Sequence, residues 1–354
     1  MRIRRKFLQL TRQTIPYGNE DKMKTYLPKG IQKDEFGNYF ISIGNGYSTM
    51  FTCHLDTACS YDRTVNHRQA ERFIGTDGKS ILGADDKAGM VVMLYMIENQ
   101  VPGLYYFFIG EEVGCVGSSA LSEKFEHPTI MKVVSFDRRG TTSVITEQMF
   151  GKCCSDEFAE ALSEAINSAG YGLKLAPDNT GILTDSAQFV ELVPECTNIS
   201  VGYYNEHTTS EIQDIDYLIS LCRSVVKVDW ESLPIVREPG DDGYECSIPG
   251  WDDDILDDET IESNEYDEEY STNIVSNGKT KKMYISKFWI EYERELLTDM
   301  LKKNGYSPDR VVWDGNSCWC DEGDGDWKYI GKREEVSHMV DIQYIPYEHL
   351  KEKI

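Results

Sequence analysis

Short apolar runs alternate with helix-like patterns from residue 1 to about residue 230. Four of these runs are rich in strand-forming residues, and they lie at residues 50–53, 104–109, 133–136 and 198–201. Runs this short between helical patterns predict the strands of a parallel sheet. Strands that alternate with helices over such a length indicate an α/β fold.

Helical patterns recur in four segments, residues 86–98, 118–125, 156–169 and 215–228. The first segment is too densely apolar for an exposed helix, and we expect it to be buried. Ser155 is a suitable N-cap for the third segment. A Gly-Asn pair at residues 37 and 38 predicts a hairpin between residues 31–36 and 39–43.

A histidine or an acidic residue follows each of the four apolar runs, and a further acidic pair opens the first helical segment. These residues are His54, Asp56, Asp85, Asp86, Glu111, Glu112, Asp137 and His207. Because ligands of parallel sheets gather at the carboxyl ends of the strands, we expect these side chains to share one rim. Such side chains on one rim predict a site for a pair of divalent cations.

The first two motifs have chemically distinct tasks. On a regular strand His54 and Asp56 point the same way. An imidazole that binds a metal needs an acceptor for its other N–H group, and a nearby carboxylate serves. The pair Asp85-Asp86 follows a glycine and precedes a helix, where one carboxylate could bridge two cations.

The remaining motifs complete this chemistry. Glu111-Glu112 supplies one metal ligand and one free carboxylate, which is able to take a proton from metal-bound water. Asp137 and His207 complete a set of nitrogen and oxygen ligands. This mixture suits zinc, with cobalt or manganese as alternatives.

Each motif alone has an ordinary structural explanation. A His-x-Asp pair is common on surfaces and in cores, and a Glu-Glu pair usually lies on a solvated face. Asp-Asp-Lys before a helix is typical of N-terminal capping. The placement of all the motifs on one rim favours the metal site over a soluble α/β fold with an acidic rim.

Five segments resemble, in the same order, the ligand motifs of the co-catalytic di-zinc exopeptidases, which include aminopeptidases, peptidase T-like enzymes and related carboxypeptidases. The segments are His54-Leu-Asp-Thr, Leu82-Gly-Ala-Asp-Asp-Lys-Ala-Gly, Gly110-Glu-Glu-Val-Gly, Phe136-Asp137 and Tyr204-Asn-Glu-His207-Thr. The match covers roughly residues 10 to 230. Thr184-Asp185-Ser186 also resembles a substrate-side motif of these enzymes. The resemblance implies a three-layer α/β fold of the phosphorylase/hydrolase-like type, with a mixed, mainly parallel sheet flanked by helices.

The same resemblance implies a role for each ligand. Asp85 is expected to bridge two divalent metal ions, which we expect to be zinc, with cobalt or manganese as alternatives. The other ligands fall into two pairs, His54 with Asp137 and Glu112 with His207. The peptide bond before Asp86 is expected to be cis, as in such folds.

The resemblance also implies that Glu111 is the general base and that Asp56 orients the first histidine ligand. We predict a metal-dependent exopeptidase, most consistent with an aminopeptidase that uses water activated by two zinc ions. A dipeptidase, a carboxypeptidase or an N-acyl amino-acid deacylase of the same fold is the main alternative. Binding of a substrate carboxylate would then use Arg138 or Arg139, although a structural salt bridge explains these arginines equally well. A non-catalytic binding protein that acts through its C-terminal part is a further alternative.

Short spacings between the ligands predict the compact form of this fold. Asp137 and His207 are 70 positions apart, and His54 and Asp85 are 31 apart. Neither interval has room for a full domain in addition to the strands and helices of the core. We therefore expect no lid and no dimerisation through a lid.

Composition divides the chain into three parts. Residues 1–230 form the predicted catalytic domain, 231–280 an acidic flexible linker, and 281–354 a small α+β module of unknown role. Between Glu238 and Glu269 there are 15 acidic residues and no Lys or Arg, a composition that favours a linker. In the module we predict a helix near residues 290–301 and strands at 310–313 and 339–345, followed by a short terminal helix.

The net charge of −25 argues against nucleic acid or an anionic membrane as a partner, because phosphate binding needs clustered basic residues. No apolar stretch approaches the roughly 20 residues that span a bilayer, and the first residues lack the pattern of a secretory signal. We expect the ten cysteines to be reduced and the protein to be cytoplasmic. The predicted partners are a peptide or acylated amino-acid substrate and a protein that binds the C-terminal module.

Two residue pairs near the predicted ligands carry weaker signals. Tyr203 and Tyr204 precede the last ligand, and we expect them to pack in the core rather than to stabilise an oxyanion. Cys153-Cys154 is likewise expected to pack rather than to react.

Overall fold

The computed structural model describes residues 1–148 and 151–239 together with five short strand segments nearer the C-terminus. These segments are residues 271–276, 279–284, 310–314, 317–321 and 327–332. The chain divides into two compact units, Met1–Cys246 and Ser247–Ile354.

An eight-stranded mixed sheet forms the centre of the first unit. In spatial order its strands are β1 (Gln32–Lys33), β2 (Tyr39–Ile43), β6 (Gly103–Phe108), β3 (Thr49–His54), β7 (Lys132–Arg138), β12 (Glu195–Ser200), β8 (Ser143–Ile145) and β11 (Ala176–Asp178). The four central strands, β6, β3, β7 and β12, run parallel to one another. Strands β1 and β2 add an antiparallel edge, and β8 is antiparallel to β12. The predicted mixed, mainly parallel sheet is confirmed.

Helices cover both faces of this sheet. They are α1 (Ile3–Leu10), α2 (Ala84–Glu98), α3 (Val116–Ser122), α4 (Asp156–Asn167) and α5 (Ile215–Val225), with 3₁₀ helices at Glu20–Tyr26 and Asp185–Phe189. Alternate strand residues point to opposite faces, so Phe51 and Tyr105 belong to the buried cluster of α2 and α5. Their neighbours Met50 and Leu104 belong to a second cluster, on the side of α3. The result is the predicted three-layer architecture.

The predicted helices are present with shifted ends. Helix α2 is buried along nearly its whole length, as its dense apolar pattern predicts. Ser155 caps α4, because its hydroxyl oxygen accepts a hydrogen bond of 3.1 Å from the N–H of Phe158. Helices α3, α4 and α5 each end two or three residues earlier than predicted, where local pattern gives little guidance. Helix α1 was not predicted, although its residues Phe7 and Leu10 are apolar and buried on one side of the helix.

A small antiparallel sheet lies beside the main one and was not predicted. Its strands, in spatial order, are β13 (Tyr203–Tyr204), β14 (Ile212–Asp214), β5 (Phe73–Thr76) and β4 (His67–Ala70). The loop between β13 and β14 contains His207, so this sheet fixes both ends of the segment that carries the last predicted ligand. A further hairpin pairs β9 (Glu147–Gln148) with β10 (Gly151–Lys152).

The packing of the first unit continues beyond residue 230. The Trp230 ring meets the Phe51 ring edge-on, with centroids 4.8 Å apart. The Arg237 guanidinium donates hydrogen bonds to main-chain carbonyls, including that of Pro194 at 2.9 Å. The buried Glu195 carboxylate accepts backbone N–H hydrogen bonds from Val236 and Arg237. Residues 231–237 are thereby attached to the rest of the first unit.

Two small sheets are described in the second unit. Strands β15 (Ser271–Ser276) and β16 (Lys279–Tyr284) form an antiparallel pair. Strands β17 (Arg310–Asp314), β18 (Ser317–Asp321) and β19 (Trp327–Lys332) form a three-stranded antiparallel sheet. Strand β17 confirms the strand predicted at residues 310–313, and β15 lies within the range predicted as linker.

Other predictions for the C-terminal part fall outside the described residues. These are most of the acidic linker, the helix near residues 290–301, the strand at 339–345 and the terminal helix. Within the described part, no helix is long and apolar enough to cross a membrane. The seven cysteines whose side chains are described are all free thiols.

Candidate metal centre

The predicted ligands converge at the carboxyl ends of the central strands. His54 is the last residue of β3, and Asp137 lies near the end of β7. Strand β6 leads directly into the loop with Glu111 and Glu112, and β12 leads to β13 and the His207 loop. Because these strands are parallel, all four endings lie on one rim, which is where the sequence pattern places them.

Asp85 lies between the two histidines. Its Oδ1 atom is 3.0 Å from Nε2 of His54, and its Oδ2 atom is 3.2 Å from Nε2 of His207. Each oxygen of one carboxylate therefore faces a different imidazole. The peptide bond between Asp85 and Asp86 is cis, as expected.

Glu112 lies on the side of His207. Its Oε2 atom is 3.0 Å from Nε2 of His207, and its Oε1 atom accepts a hydrogen bond of 3.0 Å from the N–H of Ala58. The backbone contact leaves one carboxylate oxygen directed at the histidine. Glu112, His207 and one oxygen of Asp85 thus form one group of potential ligands.

Asp137 lies on the side of His54. Its Oδ1 atom is 3.6 Å from Nε2 of His54. The Thr184 hydroxyl donates to Oδ2 at 2.5 Å, and the buried Tyr203 hydroxyl donates to Oδ1 at 3.2 Å. Tyr203 packs in the core as expected, and its hydroxyl also orients a predicted ligand. Asp137, His54 and the other oxygen of Asp85 form the second group.

Glu111 lies beside the ligands with few contacts of its own. Its Oε2 atom is 3.9 Å from Nε2 of His54, and its Oε1 atom accepts a weak hydrogen bond of 3.8 Å from the Cys115 thiol. Burial raises the pKa of Glu111 well above its ordinary value. A carboxylate that holds a proton at a higher pH than usual suits a residue that takes up and releases protons.

Asp56 connects His54 with the glutamate pair. Its Oδ1 atom is 3.2 Å from Nδ1 of His54, which leaves Nε2 of that ring free to face the centre. The backbone N–H groups of Glu111 and Glu112 donate to the two oxygens of Asp56, each at 3.2 Å. Asp56 is fully buried. The contact with the glutamate loop was not predicted, because it joins residues far apart in the sequence.

Asp86 is a rival to Asp85 as a ligand. Ligand-type atoms of His54, Asp86 and Asp137 lie within 4.8 Å of one another, as do those of His54, Asp85 and Glu112. However, the two oxygens of Asp86 accept backbone hydrogen bonds from His54 at 3.3 Å and from Gly89 at 2.9 Å. The oxygens of Asp85 face the two histidines instead. This difference favours Asp85 as the ligand that joins the two groups.

An excess of acidic groups dominates the electrostatics of the centre. Burial alone would raise the pKa of Asp85, but hydrogen bonds from His207 and His54 outweigh burial and lower that pKa. Burial would lower the pKa of His54, but the charge of Asp137 and the hydrogen bonds with Asp137, Asp56 and Asp85 together outweigh burial and raise that pKa. Burial raises the pKa of Asp137 to about 6. Surroundings that stabilise positive charge on both histidines also attract cations.

The donor set fits two zinc ions. Each of the two groups offers one imidazole nitrogen and two carboxylates, and the groups share Asp85. Three protein ligands of nitrogen and oxygen type, with a position left for water or substrate, are typical of catalytic zinc. Manganese and cobalt accept the same donors.

The two arginines and the cysteine pair, for which the sequence left a functional role open, make structural contacts. Arg138 donates through Nη2 to the carbonyl and hydroxyl oxygens of Thr180, at 2.9 and 3.0 Å. Arg139 forms an ion pair of 3.2 Å with Glu206. Cys153 is completely buried, as is its neighbour Cys154, which confirms the prediction that they pack in the core.

Two further buried carboxylates lie around the centre, of which Asp185 belongs to a motif noted in the sequence and Glu211 was missed. Asp185 accepts a hydrogen bond of 2.5 Å from the Ser118 hydroxyl, and burial raises its pKa to about 7. Glu211 accepts three backbone hydrogen bonds from the turn before α2. The Thr184-Asp185 motif was a signal for the first residue. For Glu211, the only signal in the sequence was its position four residues after His207.

The fold is that of known peptidases. A tripeptidase from Staphylococcus aureus is 17% identical, with a TM-score of 0.54 over 65% of this chain and 97% of that chain. Aminopeptidase PepT from Bacillus cereus is 18% identical, with a TM-score of 0.52 over 64% of this chain and 96% of that chain. At such low identity these similarities establish the fold.

The motifs resemble those of the co-catalytic zinc exopeptidases, and residues 42–211 match the model of Peptidase family M28. The uncharacterized protein YqjE of Bacillus subtilis is 41% identical over 78 residues. That match spans 20% of this chain and about one fifth, 21%, of the relative.

The compact form of the fold is also confirmed. In the described part of the chain between Asp137 and His207, the elements belong to the main sheet, to its flanking helices, to the short β9–β10 hairpin or, for β13, to the small sheet. Between His54 and Asp85 the chain forms only β4 and β5 of the small sheet. Neither interval contains an inserted lid domain in its described residues.

Proposed function

We propose that this protein is a metal-dependent exopeptidase, most specifically an aminopeptidase that hydrolyses N-terminal peptide bonds with water activated by two zinc ions. The observation that carries the proposal is the position of Asp85. Its two oxygens lie 3.0 and 3.2 Å from Nε2 of His54 and of His207. One carboxylate between two imidazoles is the arrangement that a pair of cations requires.

Five side chains of this protein are the proposed ligands of the two cations. Asp85 would contribute to both cation positions. His54 and Asp137 would complete one position, and Glu112 and His207 would complete the other. The role of Asp56 is proposed to be the orientation of His54, because its Oδ1 atom accepts from Nδ1 and fixes which nitrogen faces the metal.

Glu111 is the proposed general base. When bound, the two cations supply Lewis acidity that polarises the scissile carbonyl and lowers the pKa of a coordinated water. Glu111 accepts the proton of the attacking water and then donates it to the leaving amine, so the proton balance of hydrolysis closes. Its side chain is only 9% exposed and lies 3.9 Å from the His54 ring, and both observations support this role.

The arginines near the rim favour an aminopeptidase over a carboxypeptidase. Recognition of a C-terminal carboxylate needs a cation aimed at the substrate. Arg138 instead donates to Thr180, and Arg139 pairs with Glu206. An N-terminal ammonium group needs acidic surroundings, which this rim supplies in excess.

Mass spectrometry of a peptide pool tests the proposal. The pool is incubated with zinc-loaded protein and contains members with blocked N-termini and members with amidated C-termini. We expect sequential loss of residues from free N-termini only. Loss from free C-termini, or cleavage of acylated amino acids alone, would move the assignment to a carboxypeptidase or a deacylase. A complete lack of cleavage by fully zinc-loaded protein would overturn the proposal.

The location in the cell and the partner of the C-terminal module stay predictions. A cytoplasmic protein fits the free thiols of the described cysteines. The substrate is proposed to be a peptide.

A further inference from the structure

Glu211 is a buried carboxylate beside the metal centre that none of the proposed catalytic roles uses. It lies four residues after His207 and is 1% exposed. Its Oε2 atom accepts hydrogen bonds from the backbone N–H groups of Leu82 at 2.8 Å and of Gly83 at 2.7 Å. Its Oε1 atom accepts from the N–H of Asp85 at 3.0 Å.

These three donors belong to the turn that begins α2. Gly83 is the N-cap position, has a left-handed φ of 71°, and provides no side chain to cap the helix. Asp85 and Asp86 have non-helical backbone angles, so these three N–H groups lie before the regular turns of α2. A buried N–H group needs an acceptor, and a carboxylate from a distant part of the chain supplies it. One of its three hydrogen bonds holds the backbone of Asp85 itself.

The other end of Glu211 is fixed by the small sheet. Strand β14 begins at the next residue, and it pairs with β13 through Tyr204 and Ile212 and with β5 through Gln213 and Ile74. The N–H of Glu211 also donates to the carbonyl of Thr208 at 3.2 Å. Segment 207–211 thus carries the ligand His207 at one end and the anchor of Asp85 at the other.

We propose that Glu211 is a positioning residue that fixes Asp85 so that its two oxygens face the two cation positions at once. The inference rests on the metal centre of the proposed function and adds a residue that sets its geometry. A rotation of the turn would move Asp85 away from one histidine. Because a bridging ligand contributes to both positions, such a rotation would weaken the binding of both cations. Partners that hold metal ligands in place typically account for about 10- to 100-fold in metal affinity.

Calorimetric titration of metal-free, full-length protein with zinc chloride tests this role. Glu211→Gln keeps the shape of the side chain but replaces one oxygen by an NH₂ group, which faces a backbone N–H and cannot accept from it. We expect at least one of the two zinc affinities to fall about 10-fold or more. Glu211→Asp keeps the charge but shortens the reach, and we expect a smaller loss.

Glu195→Gln is the matched control. Glu195 is also a buried carboxylate, and it accepts backbone hydrogen bonds from Ser155, Val236 and Arg237, away from the metal centre. We expect this variant to lose thermal stability while its zinc affinities stay at the wild-type values. A purely structural carboxylate would behave the same way at position 211. Thermal unfolding of each variant is followed by circular dichroism, and the titration is run at a temperature at which every variant is folded.

Wild-type zinc affinities in folded Glu211→Gln and Glu211→Asp would overturn the proposal. If Glu211→Gln does not fold, Glu211→Asp decides between the two outcomes. Peptide hydrolysis is not part of this readout. Wild-type protein that binds two zinc ions but cleaves no peptide would therefore contradict the proposed function, while the titration would still decide the role of Glu211.

Discussion

The Asp56 carboxylate lies 3.2 Å from Nδ1 of His54, and the same carboxylate accepts the backbone N–H groups of both residues in the glutamate pair. One buried side chain therefore sets the orientation of a proposed metal ligand and the position of the proposed general base. A change at Asp56 should affect metal binding and turnover together.

Asp56→Asn tests this coupling. Asparagine presents one oxygen and one NH₂ group, so it cannot accept from the histidine ring and from both backbone N–H groups. We expect zinc affinity and kcat to fall about 10- to 100-fold each. Asp156→Asn, on the exposed side of α4, is the control and should leave both values unchanged. Wild-type zinc affinity in Asp56→Asn would show that Asp56 does not orient His54.

Replacing Glu111 should affect turnover, whereas replacing Glu112 should affect metal content. Glu111→Gln removes the proposed proton acceptor, and we expect kcat to fall about 100-fold or more while two zinc ions remain bound. Glu112→Gln removes a ligand next to His207, and we expect one zinc ion to be lost. Metal analysis of purified variants and steady-state kinetics check both. Turnover that survives Glu111→Gln would exclude Glu111 as the base.

Removal of metal should destabilise the protein. Without cations, the carboxylates of Asp85, Glu111, Glu112 and Asp137 repel one another in a buried place. A ligand present at 100 times its Kd stabilises the native state by about 2.7 kcal/mol. For a domain of this size that corresponds to a Tm higher by about 5–10 °C. Thermal unfolding with and without a chelator measures the difference, and an identical Tm would contradict metal binding.

The segment after α5 should be needed for stability. A chain that ends at Trp230 lacks Val236 and Arg237, whose N–H groups donate to the buried Glu195. An incompletely satisfied buried carboxylate costs about 1–3 kcal/mol. We expect this truncated chain to unfold at a lower temperature than one that ends at residue 239. Equal unfolding temperatures would show that the domain ends by residue 230.

The sequence predicts the rim well because four of the five predicted ligands follow a strand-like run. His54 and Asp137 are placed by the simple rule that parallel strands end on the same side. The buried helix α2 is equally visible, because its apolar residues are contiguous. The spacing of the predicted ligands also predicts correctly that the described residues between them contain no lid domain.

The hydrogen bonds that hold the predicted ligands in place could not be predicted in the same way. Glu211 binds the N–H of Asp85 across 126 positions, and Asp56 binds that of Glu111 across 55. Contacts between a side chain and a distant backbone leave no local pattern in one sequence. The strands of the small sheet are only two to four residues long, too short for a clear alternation.

The central claim is that Asp85 bridges two zinc ions, and the measurement that tests it most directly is anomalous diffraction at the zinc edge from crystals of zinc-loaded protein. We predict two peaks in each chain, both about 2.0–2.2 Å from an oxygen of Asp85. One peak should also contact His54, and the other His207. A single peak, or two peaks that contact Asp86 in place of Asp85, would contradict the account.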